Sequence, residues 1–341
     1  MARSTGTSLA VPNAALAADG RALAFEPLGW PHLAAWLAKV QALPAAPDAL
    51  PTALAGAVAE VRTLAAGFGG PAQLGKQRDA QRDAQRDAHA RAAMMPSPPY
   101  LGLVWLVERL HALTAQAHAL LQALGAPAGA AVRRDALSTL NALTLRARDL
   151  GSPLLPLLTG FQAAVLPANA RFAAAVGALG QILQERWEAV GAQQARLQRL
   201  EDELKRTSVL HPIRRKELSQ QIDAARQTLA GLTAQAEALR VQAAALQDIV
   251  DEGAWLDASI AALVDFVQKL RAAWASFGTT LTQLDAEAGD AQWQDPAWLA
   301  QQLSLEQALP RWQELVDASA RFQPAPVPAA VQAQQARKVQ P

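Results

Sequence analysis

Histidines and carboxylates are the residues in this chain best equipped for chemistry, and their spacing argues against it. The five His stand at 32, 89, 111, 118 and 211. Only His111 and His118 share a helix face, and seven residues put them about 10 Å apart along the axis, too far for two ligands of one metal. A structural role is expected for both. Carboxylates are plentiful, but they fall as flank charges on long helical runs, as Glu201, Asp202 and Glu203 do. No pair sits in an apolar context that would separate two pKa values for acid–base work. The chain has no cysteine, which removes disulfides, thiolate metal sites and cysteine nucleophiles and leaves the redox compartment open. No Gly-x-Ser-x-Gly elbow or Walker pattern occurs, and "FGGPAQLGK" has no strand before it to make a phosphate loop. The expectation is a protein that is not an enzyme and binds no cofactor or metal.

Composition narrows the class further. The 341 residues carry a formal net charge of +1, so no nucleic-acid partner is indicated. Hydrophobic residues make up 51%, mostly Ala and Leu, with one Tyr and seven Phe. This is a helix former's composition, poor in the β-branched and aromatic residues of strands. Residues 1–20 contain one Arg and an apolar stretch broken by Pro12 and Asn13, a poor secretory signal, and read as a disordered tail. The uncharged runs 111–132 and 150–170 reach the ~20 residues of a membrane span. The first carries two His and two Gln and the second three Pro, so the protein is expected to be soluble when made.

The elements follow from periodicity. Leu33, Trp36, Leu37 and Val40 mark one apolar helix face, and a second helix is expected from about 49 to 66. "QRDAQRDAQRDA", residues 77–88, repeats a perfect tetrad whose Arg78, Arg82 and Arg86 drift along one side of a helix. It reads as a docking surface or, with more weight, as a solvated or low-complexity insert. Apolar helices follow from about 101 and 131, and another after Pro156 is expected to continue past Pro167 with a kink or break there.

Beyond residue 168 two long helices meet at "TSVLHPIRRK", residues 207–216. Leu218, Ile222, Ala225, Leu229, Leu232, Ala236, Leu239, Ala243, Leu246 and Val250 alternate spacings of four and three, the a/d seam of a coiled coil. The seam restarts at Leu256 and runs to Leu284 after a phase shift at Gly253. Leu183, Trp187, Val190, Leu197, Leu200 and Leu204 form a looser complement on the preceding helix, which is expected to fold back antiparallel against its successor. A helix from 213 to 285 would measure about 110 Å against about 50 Å for a compact globule of this length, so a rod is expected.

The fold class is therefore all-α, an elongated multi-helix bundle with a long projecting antiparallel coiled-coil hairpin. Residues 21–186 and 251–322 are assigned to the bundle, where Trp30, Trp36, Trp105, Trp274, Trp293, Trp298 and Trp312 lie. Residues 187–250 are assigned to the hairpin, with its tip at 207–215, and 323–341 to a disordered C-terminal tail. Leu197, Leu200, Leu204, Leu218, Ile222, Leu229, Leu232, Leu239 and Leu246 make the hairpin seam.

This plan, with the "SVLHPI" tip and the C-terminal "WASFGTTLTQLD" and "LSLEQALPRWQELVDASARF", resembles the alpha-helical pore-forming toxins. Within them it is most similar to the B subunit of the alpha-xenorhabdolysin binary toxins. The likeness spans roughly residues 20–322 and rests on architecture and a degenerate Trp, Leu and Phe pattern; the QRDA repeat has no place in it. It implies a secreted protein, here without a clear signal peptide, that joins a separate A subunit on a target-cell lipid membrane as a hetero-oligomeric ring.

The projecting hairpin would then supply the membrane-spanning helices. Val209, Leu210, His211, Pro212 and Ile213 would lead into the bilayer, and Lys205, Arg206, Arg214, Arg215 and Lys216 would form a cationic collar behind them. The plain alternative is a hairpin turn with solvated cations. Arg196, Arg199, Glu201, Asp202, Glu203, Asp223 and Arg226 oppose insertion of a lone hairpin at about 2–3 kcal/mol per charge, although in a ring one helix face meets a watery lumen. The rival class is a coiled-coil scaffold or adaptor.

Overall fold

A computed structural model of the chain describes residues 7–27, 29–43, 52–70 and 98–322. The QRDA repeat, His89, the segment after Phe322 and the first six residues lie outside them. The helices are α1 (Ala10–Ala15), α2 (Trp30–Ala42), α3 (Thr52–Phe68), α4 (Pro99–Gly125), α5 (Ala130–Ala147) and α6 (Leu154–Arg206). They are followed by α7 (Pro212–Gly253), α8 (Leu256–Glu287), α9 (Asp290–Gln294), α10 (Pro296–Gln302) and α11 (Leu305–Arg321). Leu16 and Leu23 form an isolated antiparallel bridge, and no β-strand occurs among the described residues. The molecule is an all-helical, multi-helix assembly.

The chain divides into two compact units. One comprises the chain up to Ala42, Arg62–Leu166 and Glu252 onward; the other comprises Leu43–Val61 and Pro167–Asp251. The expected bundle–hairpin boundary at 186/187 falls inside the second unit.

In the first unit α8 is the central element. Its seam positions Leu256, Ile260, Leu263, Val267, Leu270, Trp274, Phe277 and Leu281 are fully buried, and α1, α2 and α5 pack on it, while α4 packs on α5 and α11. Gly29 lets the chain entering α2 approach α8, because a Cβ there would lie 2.4 Å from the Ser259 Cα. Aromatic rings fill the interior. Phe25 meets Phe266 at 4.9 Å, Trp30 stacks on Tyr100 at 6.0 Å, and Trp312 lies 5.6 Å from both Trp274 and Phe277. Trp255 begins no seam and is half exposed.

Two sequence expectations are corrected. Residues 1–20 do not read as a uniformly disordered tail, since Thr7–Leu9 is a 3-10 turn leading into α1. Val11, Ala15, Leu23 and Phe25 are buried, and the Trp312 Nε1 donates to the Ser8 carbonyl at 2.9 Å. Apolar burial offsets the weak local propensity of this segment. The helix after Pro156 continues past Pro167, as expected, with that residue inside α6; the division between units falls at this residue, which cannot donate to the helix ladder. The expected single helix from 213 to 285 is broken at Ala254 and Trp255, where Gly253 ends α7 at the phase shift in the seam.

The end of α7 is clamped. Lys39 Nζ donates to one Glu252 oxygen at 3.0 Å and His32 Nδ1 to the other at 2.9 Å, while the His32 ring stacks on Trp255 at 4.9 Å. Partial burial pushes the Glu252 carboxyl up, but the hydrogen bonds from His32 and Lys39 and their charges outweigh it and hold the group below its ordinary value of 4.5. A carboxyl with a depressed folded pKa contributes stability fully above its unfolded pKa and loses it as pH falls through the folded one. Glu252→Gln is therefore expected to lower the melting temperature at neutral pH, with the gap from the parent closing as pH falls below about 4.5. Melting curves across that range check it, and a pH-independent gap would count against the clamp.

Candidate functional site

The site is built where α6 hands over to α7. Lys205 and Arg206 occupy the last turn of α6, where cations suit the negative end of the helix dipole. The Thr207 hydroxyl donates to the Glu203 carbonyl at 2.8 Å. The Leu210 N–H donates to the Ser208 hydroxyl at 3.3 Å, and the His211 N–H to the Ser208 carbonyl at 3.1 Å. Pro212 then opens α7, at a position where its missing N–H costs nothing. The reversal thus lies in Thr207–His211 rather than at Pro212 itself.

Because Thr207 and Ser208 serve the turn's backbone, the apolar side chains are left to face water. Val209 is 80% exposed, Leu210 86% and Ile213 77%, above every other large apolar side chain among the described residues. His211 and Pro212 are also exposed. Each such aliphatic side chain gains about 1.5–3 kcal/mol when fully withdrawn from water.

The five cations behind the tip do not form one uniform collar. Arg214 is held by Glu203 at 2.6 Å and Glu217 at 3.4 Å, and Lys205 by Asp202 at 3.1 Å. Arg215 donates to the Thr207 carbonyl at 2.9 Å, a partner without charge. Arg206 and Lys216 meet no carboxylate among the described residues.

Below the turn, bonds tie α6 to α7. Arg226 pairs with Glu201 at 2.7 Å and the Gln193 side chain donates to the Ala225 carbonyl at 3.2 Å. Among the seam residues Leu218, Ile222 and Leu246 are buried. Leu197, Leu200, Leu204, Leu229, Leu232 and Leu239 are half-buried. A shallow cleft between the helices is lined by Glu201, Leu204, Lys205, Ser219, Ile222, Asp223 and Arg226, a mixture of paired charges and aliphatic side chains with no nucleophile–base arrangement.

Helix α6 also holds a stretch long and apolar enough to cross a membrane, with 33% of it buried. The prolines of residues 150–170, which in the sequence argue against a span, do not interrupt this helix once it has begun. Pro156 stands in the first turn, where it is tolerated, and the helix continues through Pro167.

Elsewhere His111 Nδ1 donates toward the Val316 carbonyl at 3.2 Å and lies 3.1 Å from the Ser319 hydroxyl, which ties α4 to α11. Burial lowers the pKa of His118, against a weaker opposite pull from Asp317. No group of three His, Asp or Glu is placed to hold a metal among the described residues. Two features escaped the sequence reading: the Glu252 clamp, and Arg133, a buried cation that donates to the Trp293 carbonyl at 2.8 Å and the Ala126 carbonyl at 3.3 Å. An unpaired Arg one turn into an Ala-rich helix is the only local hint of the second; the first joins residues 220 and 213 positions apart.

No family model matches the chain, and no curated protein does so. Among solved structures the chain is similar to the soluble AhlC of the tripartite alpha-pore forming toxin AHL from Aeromonas hydrophila. That similarity has 15% identity over 86% of this chain and 97% of AhlC, with a TM-score of 0.38. A triple head mutant of soluble AhlC gives the same identity and TM-score, over 98% of that chain. A likeness of this degree carries no argument about function.

Proposed function

We propose that the chain is a non-enzymatic component of a pore-forming cytolysin. It is secreted as a soluble protein and assembles with a separate A subunit on a target-cell membrane as a hetero-oligomeric ring. Residues 187–250 act as a projecting antiparallel coiled-coil hairpin that enters the bilayer tip first. The observation that supports this reading is the exposure of Val209, Leu210 and Ile213 on a turn where the Thr207 hydroxyl, the Leu210 N–H and the His211 N–H are internally bonded. Each internal bond leaves one fewer polar group to be stripped of water on entry. The charges on the flanking helices would face a lumen or a neighbouring protomer, and the half-buried leucines would gain their second contact there.

The test uses the absence of cysteine. Leu210→Cys carries an environment-sensitive fluorophore at the tip, and the labelled full chain is mixed with liposomes, alone and with a candidate A subunit, while release of an entrapped dye is followed. A blue-shifted probe accompanying dye release is the expected result. A probe that stays in water and no release under any combination would overturn the reading.

The half-buried state of Leu197, Leu200, Leu204, Leu229, Leu232 and Leu239 also suits a scaffold or adaptor whose hairpins pair with one another. That alternative requires a stable dimer in sedimentation with no membrane activity.

A further inference from the structure

Resting on the insertion reading, we infer that the tip recognises an anionic lipid bilayer and that Arg206, Arg215 and Lys216, rather than the whole basic cluster, carry the recognition. The partition of charge motivates this. Lys205 and Arg214 are already compensated, by Asp202 at 3.1 Å and by Glu203 and Glu217 at 2.6 and 3.4 Å. Arg206 and Lys216 meet no carboxylate among the described residues, and Arg215 donates to the neutral Thr207 carbonyl rather than to a carboxylate. Three uncompensated positive charges therefore lie beside three exposed aliphatic side chains within residues 206–216.

The dipole of α7 does not account for Arg215 or Lys216. Arg214, Arg215 and Lys216 lie at the start of α7, whose first turn contains no acidic residue. Cations there oppose the positive end of the helix dipole, where carboxylates would stabilise. Arg214 is relieved by its two carboxylates; Arg215 and Lys216 are not. A surface of negative lipid headgroups supplies the missing counter-charge while its hydrocarbon takes Val209, Leu210 and Ile213. An acidic protein could match the charges but leaves the aliphatic triad without a comparable solvent.

Each basic residue at an anionic bilayer surface strengthens binding roughly fivefold, so three give on the order of a hundredfold at low salt. The effect weakens as salt shortens the Debye length. The full chain is floated with vesicles of phosphatidylcholine alone and of phosphatidylcholine with phosphatidylserine. Expected is a preference of about that size for the serine-containing vesicles, lost in high salt and in the triple variant Arg206→Gln, Arg215→Gln, Lys216→Gln. Removing one compensated pair whole, by Asp202→Asn with Lys205→Gln, leaves the preference intact, and circular dichroism verifies the fold of both variants. Leu210→Ser weakens binding to both vesicle types.

Equal binding to the two vesicles, still sensitive to Leu210→Ser, overturns the anionic preference and leaves insertion standing. A preference that survives the triple variant overturns the assignment of these cations. Binding to neither vesicle, with or without a candidate A subunit, overturns the insertion reading itself.

Discussion

Trp312→Ala is expected to cost about 3–5 kcal/mol of unfolding free energy, as truncation of a fully buried aromatic does. Its ring is completely buried and lies 5.6 Å from both Trp274 and Phe277, so the truncation leaves a void bounded by rigid rings that cannot collapse into it. The same substitution orphans the Ser8 carbonyl, which accepts the indole N–H at 2.9 Å. Trp312→Phe separates the two effects. It keeps most of the ring packing and forfeits the hydrogen bond, for which about 0.5–1.5 kcal/mol is expected, together with a small loss of volume. Urea denaturation followed by fluorescence of the remaining tryptophans measures both. A loss under about 1 kcal/mol for the alanine variant would mean that this aromatic cluster is not the core of the first unit.

The second large effect belongs to Arg133. Its guanidinium is buried and donates to two carbonyls, Ala126 just past the end of α4 and Trp293 in α9, while Arg134 lies over the Trp293 ring at 5.6 Å and pairs with Asp290. The buried cation thus joins segments 160 residues apart through peptide oxygens at helix ends, which carry the negative end of the dipole. Removing it relieves the desolvation of the charge but leaves two carbonyls unserved, one of them in a buried bond, so Arg133→Ala is expected to cost about 2–4 kcal/mol. Arg133→Lys should not restore the loss, because a compact ammonium cannot reproduce the planar fork that reaches both oxygens. A lysine variant as stable as the parent would show that charge alone suffices there.

These residues mark the limit of what sequence patterning reveals. The seam of α8 is written in its four-three spacing, and every position from Leu256 to Leu281 is buried. The exposed tip could likewise be picked out because an apolar triplet interrupts polar helix flanks. Residues whose partners are distant were silent. His32 and Lys39 look like ordinary surface cations of α2 until Glu252 is brought to them, and Arg133 looks solvated until α9 folds over it. The continuation of α6 past Pro167 was legible, and Leu158, Phe161, Val165, Ala168 and Phe172, all buried, accompany it on both sides of that residue. The division of the basic cluster into compensated and uncompensated members was also invisible, because Glu203 and Arg214 lie on opposite sides of the turn.

The bond between Ser8 and Trp312 spans 304 residues, and Arg321 reaches back to the Arg21 carbonyl at 3.0 Å. The first unit is consequently assembled from both extremities of the described chain, and it cannot close its interior during synthesis until α11 has left the ribosome. The turn at 207–211 and the helices flanking it form from neighbouring segments and need no such wait. During translation the α8 seam is an exposed apolar stripe with its last partner still unmade, the kind of surface that draws chaperones or aggregates. Ribosome-bound chains ending before residue 305 should therefore be protease-sensitive around Leu256–Glu287, and protection should appear only once the final helix is released.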